Sequence, residues 1–196
     1  MALDCYHLCG TEPMILVIDL EATCDDGNVK PIPPDEMEII EIGAVWATVE
    51  GKVIDEFQTF VRPLLRPHLT DFCRQLTHIQ QRDVDAAEFF PAAAAALTRF
   101  AQRHQGQSAT WGSWGNYDAK QFARDCARHD IPDPLAGFQH VNLKSQFAKR
   151  RFARSGKKFR EVGMIKALEL AGLPLTGDHH RGIDDARNIA RLLPFV

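Results

Sequence analysis

Three features of the sequence predict an α/β fold built on a mixed sheet. Residues 14–18 (Met-Ile-Leu-Val-Ile) form an unbroken apolar run, the pattern of a central strand buried on both faces. Residues 38–49 and 52–61 read as two more strands, joined tightly around Glu50-Gly51 as a hairpin. Beyond them a strand–helix alternation begins, and three antiparallel strands followed by such alternation give a sheet of mixed direction.

The elements follow in order. Residues 1–13 are expected to be a short leader. Residues 25–35 carry Gly27, Asn28, Pro31, Pro33 and Pro34, too many breakers for regular structure, and form a loop. Arg62-Pro63 and Arg66-Pro67 end the third strand. A short helix is expected over 71–76 and a connecting segment over 77–85. Pro91, tolerated in a first turn, opens a helix that runs to about residue 104. Its five consecutive alanines favour close packing and offer no chemistry. Residues 108–111 read as a fourth strand and 112–115 as a turn. Ala119, Phe122, Ala123 and Cys126 fall at helical spacing, which makes 118–129 an amphipathic helix. Further helices are expected over 142–154 and 161–171, then a break at Gly172 and Pro174 and a loop over 177–182. The last helix, 183–193, has Ile183, Ala186, Ala190 and Leu193 on one face. Without repeats or a low-complexity linker, 14–196 reads as one domain.

Composition narrows the setting. A chain of 196 residues with 45% hydrophobic and 25% charged residues is long enough to bury a proper core. The net charge of −3 does not mark a nucleic-acid binder, although net charge hides local patches. Five scattered cysteines with no C-x-x-C pair point away from zinc and towards free thiols in a reducing compartment. No apolar run reaches transmembrane length, and the N-terminus lacks a basic stretch followed by an apolar one. The expected location is the cytoplasm.

Chemistry enters at the end of the first strand. Asp19 and Glu21 are separated by one residue, so on a strand both side chains project to the same side. Two such charges at 4 Å repel by roughly 4 kcal/mol at an effective dielectric near 20, which calls for a proton or a cation. Alone, the pair reads first as a strand end followed by a solvated turn. Two further places carry acids. Asp118 ends Trp111-Gly-Ser-Trp114-Gly-Asn-Tyr117-Asp118, where an ordinary helix N-cap would also put an aspartate. His179-His180-Arg-Gly-Ile-Asp184-Asp185 leads into the last helix, where acids suit the helix dipole. The residues themselves leave open which histidine and which aspartate of that segment act.

Taken together, these stretches resemble the DEDDh branch of the DnaQ-like 3′→5′ exonucleases. The matching pieces are VIDLEATC at 17–24, EIIEIGAVW at 38–46, TWGSWGNYDAKQF at 110–122 and HHRGIDDARNIA at 179–190. TDFCRQLTHIQQRDVDAA at 70–87 is similar to the branch of 3′ exoribonucleases of the histone-mRNA and RNA-interference-enhancing kind. The resemblance implies a ribonuclease-H-like mixed five-stranded sheet flanked by helices. It implies that Asp19, Glu21, Asp118 and Asp185 hold two Mg²⁺ ions, which Mn²⁺ can replace, with Asp19 bridging them and Glu21 counted in the catalytic set. The family places its last aspartate five residues after its histidine, which selects Asp185 and makes His180 the general base. His179 is then a spare, expected to point elsewhere. The implied activity is metal-dependent hydrolysis of phosphodiester bonds from the 3′ end of single-stranded nucleic acid, RNA favoured, releasing nucleoside 5′-monophosphates. Alternatives are a DNA exonuclease of proofreading or repair type, or a catalytically silent nucleic-acid-binding module.

That chemistry suits the residues. Two divalent ions roughly 3.5–4 Å apart activate water and stabilise a departing oxygen, and Mg²⁺ takes oxygen ligands. An imidazole titrates near working pH and can accept a proton. Relatives in this branch can carry a tryptophan directly before the third acid. Here Tyr117 stands in that place and is expected to take the aromatic role. Phe72, Trp114 and Tyr117 are the stacking candidates, at about 1–3 kcal/mol per base. Residues 144–160 hold eight basic residues and no acid; from that stripe Lys144, Arg150 and Arg151 are expected to meet the phosphate backbone.

Overall fold

The computed structural model describes residues 13–28, 31–106, 108–156 and 160–196. The leader, apart from Pro13, lies outside the described residues, as do Cys5, Cys9, Lys157 and Lys158. Strand β1, Met14–Ala22, is buried along its length except at Asp19. Its neighbour β2, Ile39–Thr48, is buried throughout and runs antiparallel to it. The outer strand β3, Val53–Phe60, alternates half-buried and exposed positions, as one face of an edge strand should. On the other side β4, Thr110–Ser113, and β5, Gln139–Asn142, run parallel to β1. The order β3-β2-β1-β4-β5 is the mixed five-stranded sheet that the motifs implied. Two local readings differ: β4 lies two residues further on than expected, and β5 had no expected strand at all.

Among the described residues the sheet is flanked by α1 (Asp71–Thr77), α2 (Gln81–Asp85), α3 (Phe90–Gln102), α4 (Tyr117–His129), α5 (Leu143–Ser155), α6 (Met164–Ala171) and α7 (Gly182–Arg191). Helix α2 falls where a plain connection was expected. At its start the Gln80 N–H donates to the Asp83 carboxylate at 2.8 Å and the Asp83 N–H donates to the Gln80 carbonyl at 2.9 Å. The expected helix over 161–171 starts only at Met164, after Gly163 as its N-cap.

Side-chain parity along β1 divides the interior in two. Leu16, Ile18 and Leu20 pack with α3 and α4 around Leu97, Phe100 and Phe122. Ile15 and Val17 pack with α5, α6 and α7 around Phe147, Leu168 and Ile189. Asp19 and Glu21 share the parity of Ile15 and Val17, so they emerge on the α7 side once the apolar positions end. Gly43 on β2 lets that helix come close. A Cβ there would lie 2.0 Å from the backbone carbon of Gly182, so only glycine permits this approach of strand and helix start. Gly182 sits against the Asp19 carbonyl in turn.

Candidate active site

The close approach of α7 to β1 and β2 brings acids from distant parts of the chain into one cavity of about 430 Å³. Asp19, Glu21, Asp118, Asp185, His179, His180, Trp114 and Tyr117 all line it. One carboxylate oxygen from each of Asp19, Glu21 and Asp185 lies within 4.8 Å of the others. Asp118, in the first turn of α4, accepts the Leu20 N–H at 3.1 Å. That bond ties α4 to the one β1 amide between the two acidic residues.

Electrostatics in the cavity are unfavourable without a cation. Burial, then Asp118 and Glu21, hold the Asp19 carboxyl well above the usual range. Burial, then Asp185 and Glu41, do the same to Glu21. Burial lifts Asp118 to about 6. Asp185 is raised by burial and held back by the His180 N–H and by His179. No lysine or arginine enters among the causes of the shifts at Asp19 and Glu21. Hard oxygen donors, close together and mutually repelling, fit a divalent cation.

Asp184 and Asp185 are separated by the helix they share. Asp185 is buried at 4% exposure and faces the cavity. Asp184 accepts the Arg187 guanidinium at 2.8 Å and the Asp178 N–H at 3.0 Å. The histidines are not separated in this way. His179, expected to point elsewhere, turns its Nδ1 to Asp185 at 2.8 Å. The His180 ring stacks on it with centroids 3.8 Å apart, while the His180 N–H donates to the same carboxylate at 3.0 Å. His180 has φ 65°. This left-handed backbone costs a side-chain-bearing residue roughly 1–2 kcal/mol, and it brings two adjacent side chains to one side. Burial, His179 and His78 push the His180 imidazole below its ordinary pKa, which favours the neutral form that can accept a proton.

The expected nucleic-acid contacts are spread more widely. Trp114 forms one wall of the cavity, anchored by its Nε1–H to the Val162 carbonyl at 2.9 Å. Tyr117 is 44% exposed at the rim, and burial of its hydroxyl with Asp118 nearby raises its pKa. Phe72 is exposed on α1, whose Leu76 reaches the cavity. Along α5 the basic residues run away from the acids, and the chain returns to the cavity at Gly163 and Met164, just beyond Arg160. Helix α5 starts beside the end of β5 and returns antiparallel to the strands, so Lys144 is at the site's end. Arg150 instead donates to the Val196 carbonyl at 2.6 Å and lines a cavity with Ile15 and Glu50 near the start of β1. Arg151 stacks on Phe147 and donates to the Leu170 carbonyl.

Glu41 belongs to the site and was not among the expected residues. It is fully buried on β2, opposite Glu21. It accepts from Gly182 N at 3.1 Å, Arg181 Nε at 3.1 Å and Gln58 Nε2 at 2.6 Å. The second glutamate of EIIEIGAVW, flanked by isoleucines on both sides, was the available signal, since a buried strand charge needs a partner. Its partner, Arg181, holds the segment between His180 and α7.

Fold and cavity define a class of protein: an α/β sheet whose central strand ends in carboxylates arranged for divalent cations. Comparison with known proteins agrees. The family profile described as "Exonuclease" matches residues 16–193. The 3′-5′ exonuclease eri1 of Schizosaccharomyces pombe is 32% identical over 208 residues, covering 91% of this chain and 66% of that protein. The 3′-5′ exoribonuclease 1 of Homo sapiens is 32% identical over 188 residues, covering 91% and 50%. The chain thus spans between half and two thirds of these relatives. The crystal structure of the nuclease domain of 3′hExo, a DEDDh family member bound to rAMP, superposes with a TM-score of 0.78 at 29% identity, covering 97% of this chain and 92% of that one. This chain belongs to the DEDDh exonuclease family.

Proposed function

We propose that this protein is a divalent-metal-dependent 3′→5′ exonuclease that removes nucleoside 5′-monophosphates from single-stranded RNA. The observation that carries the reading is the convergence of Asp19, Glu21 and Asp185, with Asp118 and two histidines, in one aromatic-walled cavity. Asp19, Glu21, Asp118 and Asp185 would hold the ions, Mg²⁺ by preference and Mn²⁺ in its place. When bound, two such ions supply charge that activates the attacking water and neutralises the departing 3′ oxygen.

The chain's own residues supply the rest. Neutral His180 takes the proton of the attacking water. Asp185 is kept in orientation by the His179 ring and the His180 N–H. Trp114 and Tyr117 offer faces for the terminal base, an interaction that tolerates any sequence. Lys144, at the site's end of α5, is offered to the backbone of the incoming strand, whereas Arg150 and Arg151 donate to backbone carbonyls. The preference for RNA is supported by the ribonucleotide held by 3′hExo and by the exoribonuclease name of the human relative. Three described cysteines that are free thiols accord with a reducing, cytoplasmic setting.

The test uses matched RNA and DNA oligonucleotides labelled at the 5′ end, with a closed circular single strand as control. A descending ladder from RNA, faster than from DNA and absent from the circle, is expected. Faster loss of DNA would favour the proofreading or repair reading, and binding without cleavage a silent module. Comparable cutting of the circle would mean an endonuclease.

A further inference from the structure

We propose that His179, His180 and Asp185 form a second, nitrogen-rich metal site that takes Zn²⁺, and that zinc seated there inhibits the nuclease. The inhibitory half rests on the exonuclease reading; the binding half does not. One donor atom from each of these three residues lies within 4.8 Å of the others. The oxygen-only set of Asp19, Glu21 and Asp185 meets the same limit. Two donor sets of different chemistry therefore meet at one shared carboxylate.

Geometry brings the nitrogens together. Adjacent residues in an extended chain point to opposite sides, but the left-handed turn at His180 places both rings on one side, 27° from parallel. His179 Nδ1 is already 2.8 Å from Asp185 Oδ2, and the His180 N–H fixes that oxygen from the backbone. Tetrahedral ligands at Zn–N and Zn–O distances of about 2 Å stand roughly 3.3 Å apart. The set closes on an ion with side-chain shifts on the order of an ångström.

Chemistry then sorts the ions. Imidazole suits zinc, whereas carboxylate oxygens suit Mg²⁺ and Mn²⁺, and zinc outranks Mn²⁺ in affinity for a given N/O site. Three protein ligands leave a fourth position for water. Zinc bound there withdraws His180 from proton transfer and Asp185 from the oxygen set. His179 is the residue that distinguishes this site, because the oxygen set is complete without it.

The experiment titrates the EDTA-stripped, desalted full chain with ZnCl₂ against a chromophoric zinc chelator, without nucleic acid. Wild type, His179→Ala, His179→Gln and Asp19→Asn are compared, with circular dichroism confirming their fold. The tightest zinc is expected to bind wild type and Asp19→Asn alike, and both His179 variants at least roughly tenfold more weakly. In Mg²⁺, micromolar zinc should slow wild type, each rate taken relative to the same protein's zinc-free rate, and slow the His179 variants far less. Unchanged zinc affinity in the His179 variants would overturn the site, as would its loss in Asp19→Asn. Zinc binding that depends on His179 in a protein with no nuclease activity would keep the site and sink the exonuclease reading instead.

Discussion

At the scale of single residues, the two histidines decide how the site works. His180 lies five residues before Asp185, and burial pushes its imidazole below its ordinary pKa. His180→Ala should lower single-turnover cleavage in Mg²⁺ by about 10²–10⁴-fold, the usual range for lost acid–base help. His179→Ala should cost less, because it removes a hydrogen bond to Asp185 and not the proton acceptor. The reverse order would move the base to His179. Asp19 and Glu21 were legible in the sequence because strand parity is a strict rule. His179 was not, because a left-handed φ at a non-glycine residue leaves no mark in the sequence. Glu41 was hidden by its setting, since EIIEIGAVW reads first as strand and only then as a charge needing Arg181. The run of basic residues over 144–160 gave the charge of a helix but not its direction, and so not that Arg150 and Arg151 donate to the Val196 and Leu170 carbonyls.

At the scale of elements, the start of α7 against β2 sets the site. Long apolar runs made β1 and β2 plain, and helical spacing did the same for α4 and α7. Strand β5 was missed because Gln139-His140-Val141-Asn142 has neither an apolar run nor alternation; it exists through pairing with β4. Helix α2 was missed because five residues are too few for a periodic signal. Gly43 carries the closest contact between elements, and Gly43→Ala would force a Cβ to within 2.0 Å of Gly182. Overpacking of this kind costs typically about 1–3 kcal/mol and occasionally more. The variant should melt lower than wild type and lose activity beyond its unfolded fraction, because Asp185 and the Glu41–Arg181 pair move with the helix. Wild-type activity in a folded Gly43→Ala protein would show that the approach of α7 is not what aligns the acids.

At the scale of the whole molecule, the buried acids couple folding to pH and to metal. Asp118 sits at about 6 when folded against an ordinary 3.8, and Asp19, Glu21 and Asp185 shift in the same direction. A carboxyl with a raised folded pKa binds more protons folded than unfolded, so stability declines as pH rises through that window. In EDTA the Tm contribution of these groups should fall from about pH 4 to about pH 6 and beyond. A cation replaces the protons once they leave. Added Mg²⁺ should therefore raise Tm more at about pH 8 than at about pH 5, read by thermal denaturation at both values. Equal shifts at the two pH values would mean that the ion binds outside the buried acids. Among the described residues no helix is long and apolar enough to cross a membrane.

Under the proposed function, the carboxylates of the cavity hold the ions on which 3′→5′ cleavage depends. Asp19→Asn, compared with wild type on 5′-labelled single-stranded RNA in Mg²⁺ and in EDTA, tests it most directly. Wild type should give a descending ladder in Mg²⁺ and none in EDTA. Asp19→Asn should give none in either, while its Tm in EDTA equals or exceeds that of wild type, because one repelling charge is gone from a crowded cavity. A ladder at the wild-type rate from Asp19→Asn, or from wild type in EDTA, would contradict the account.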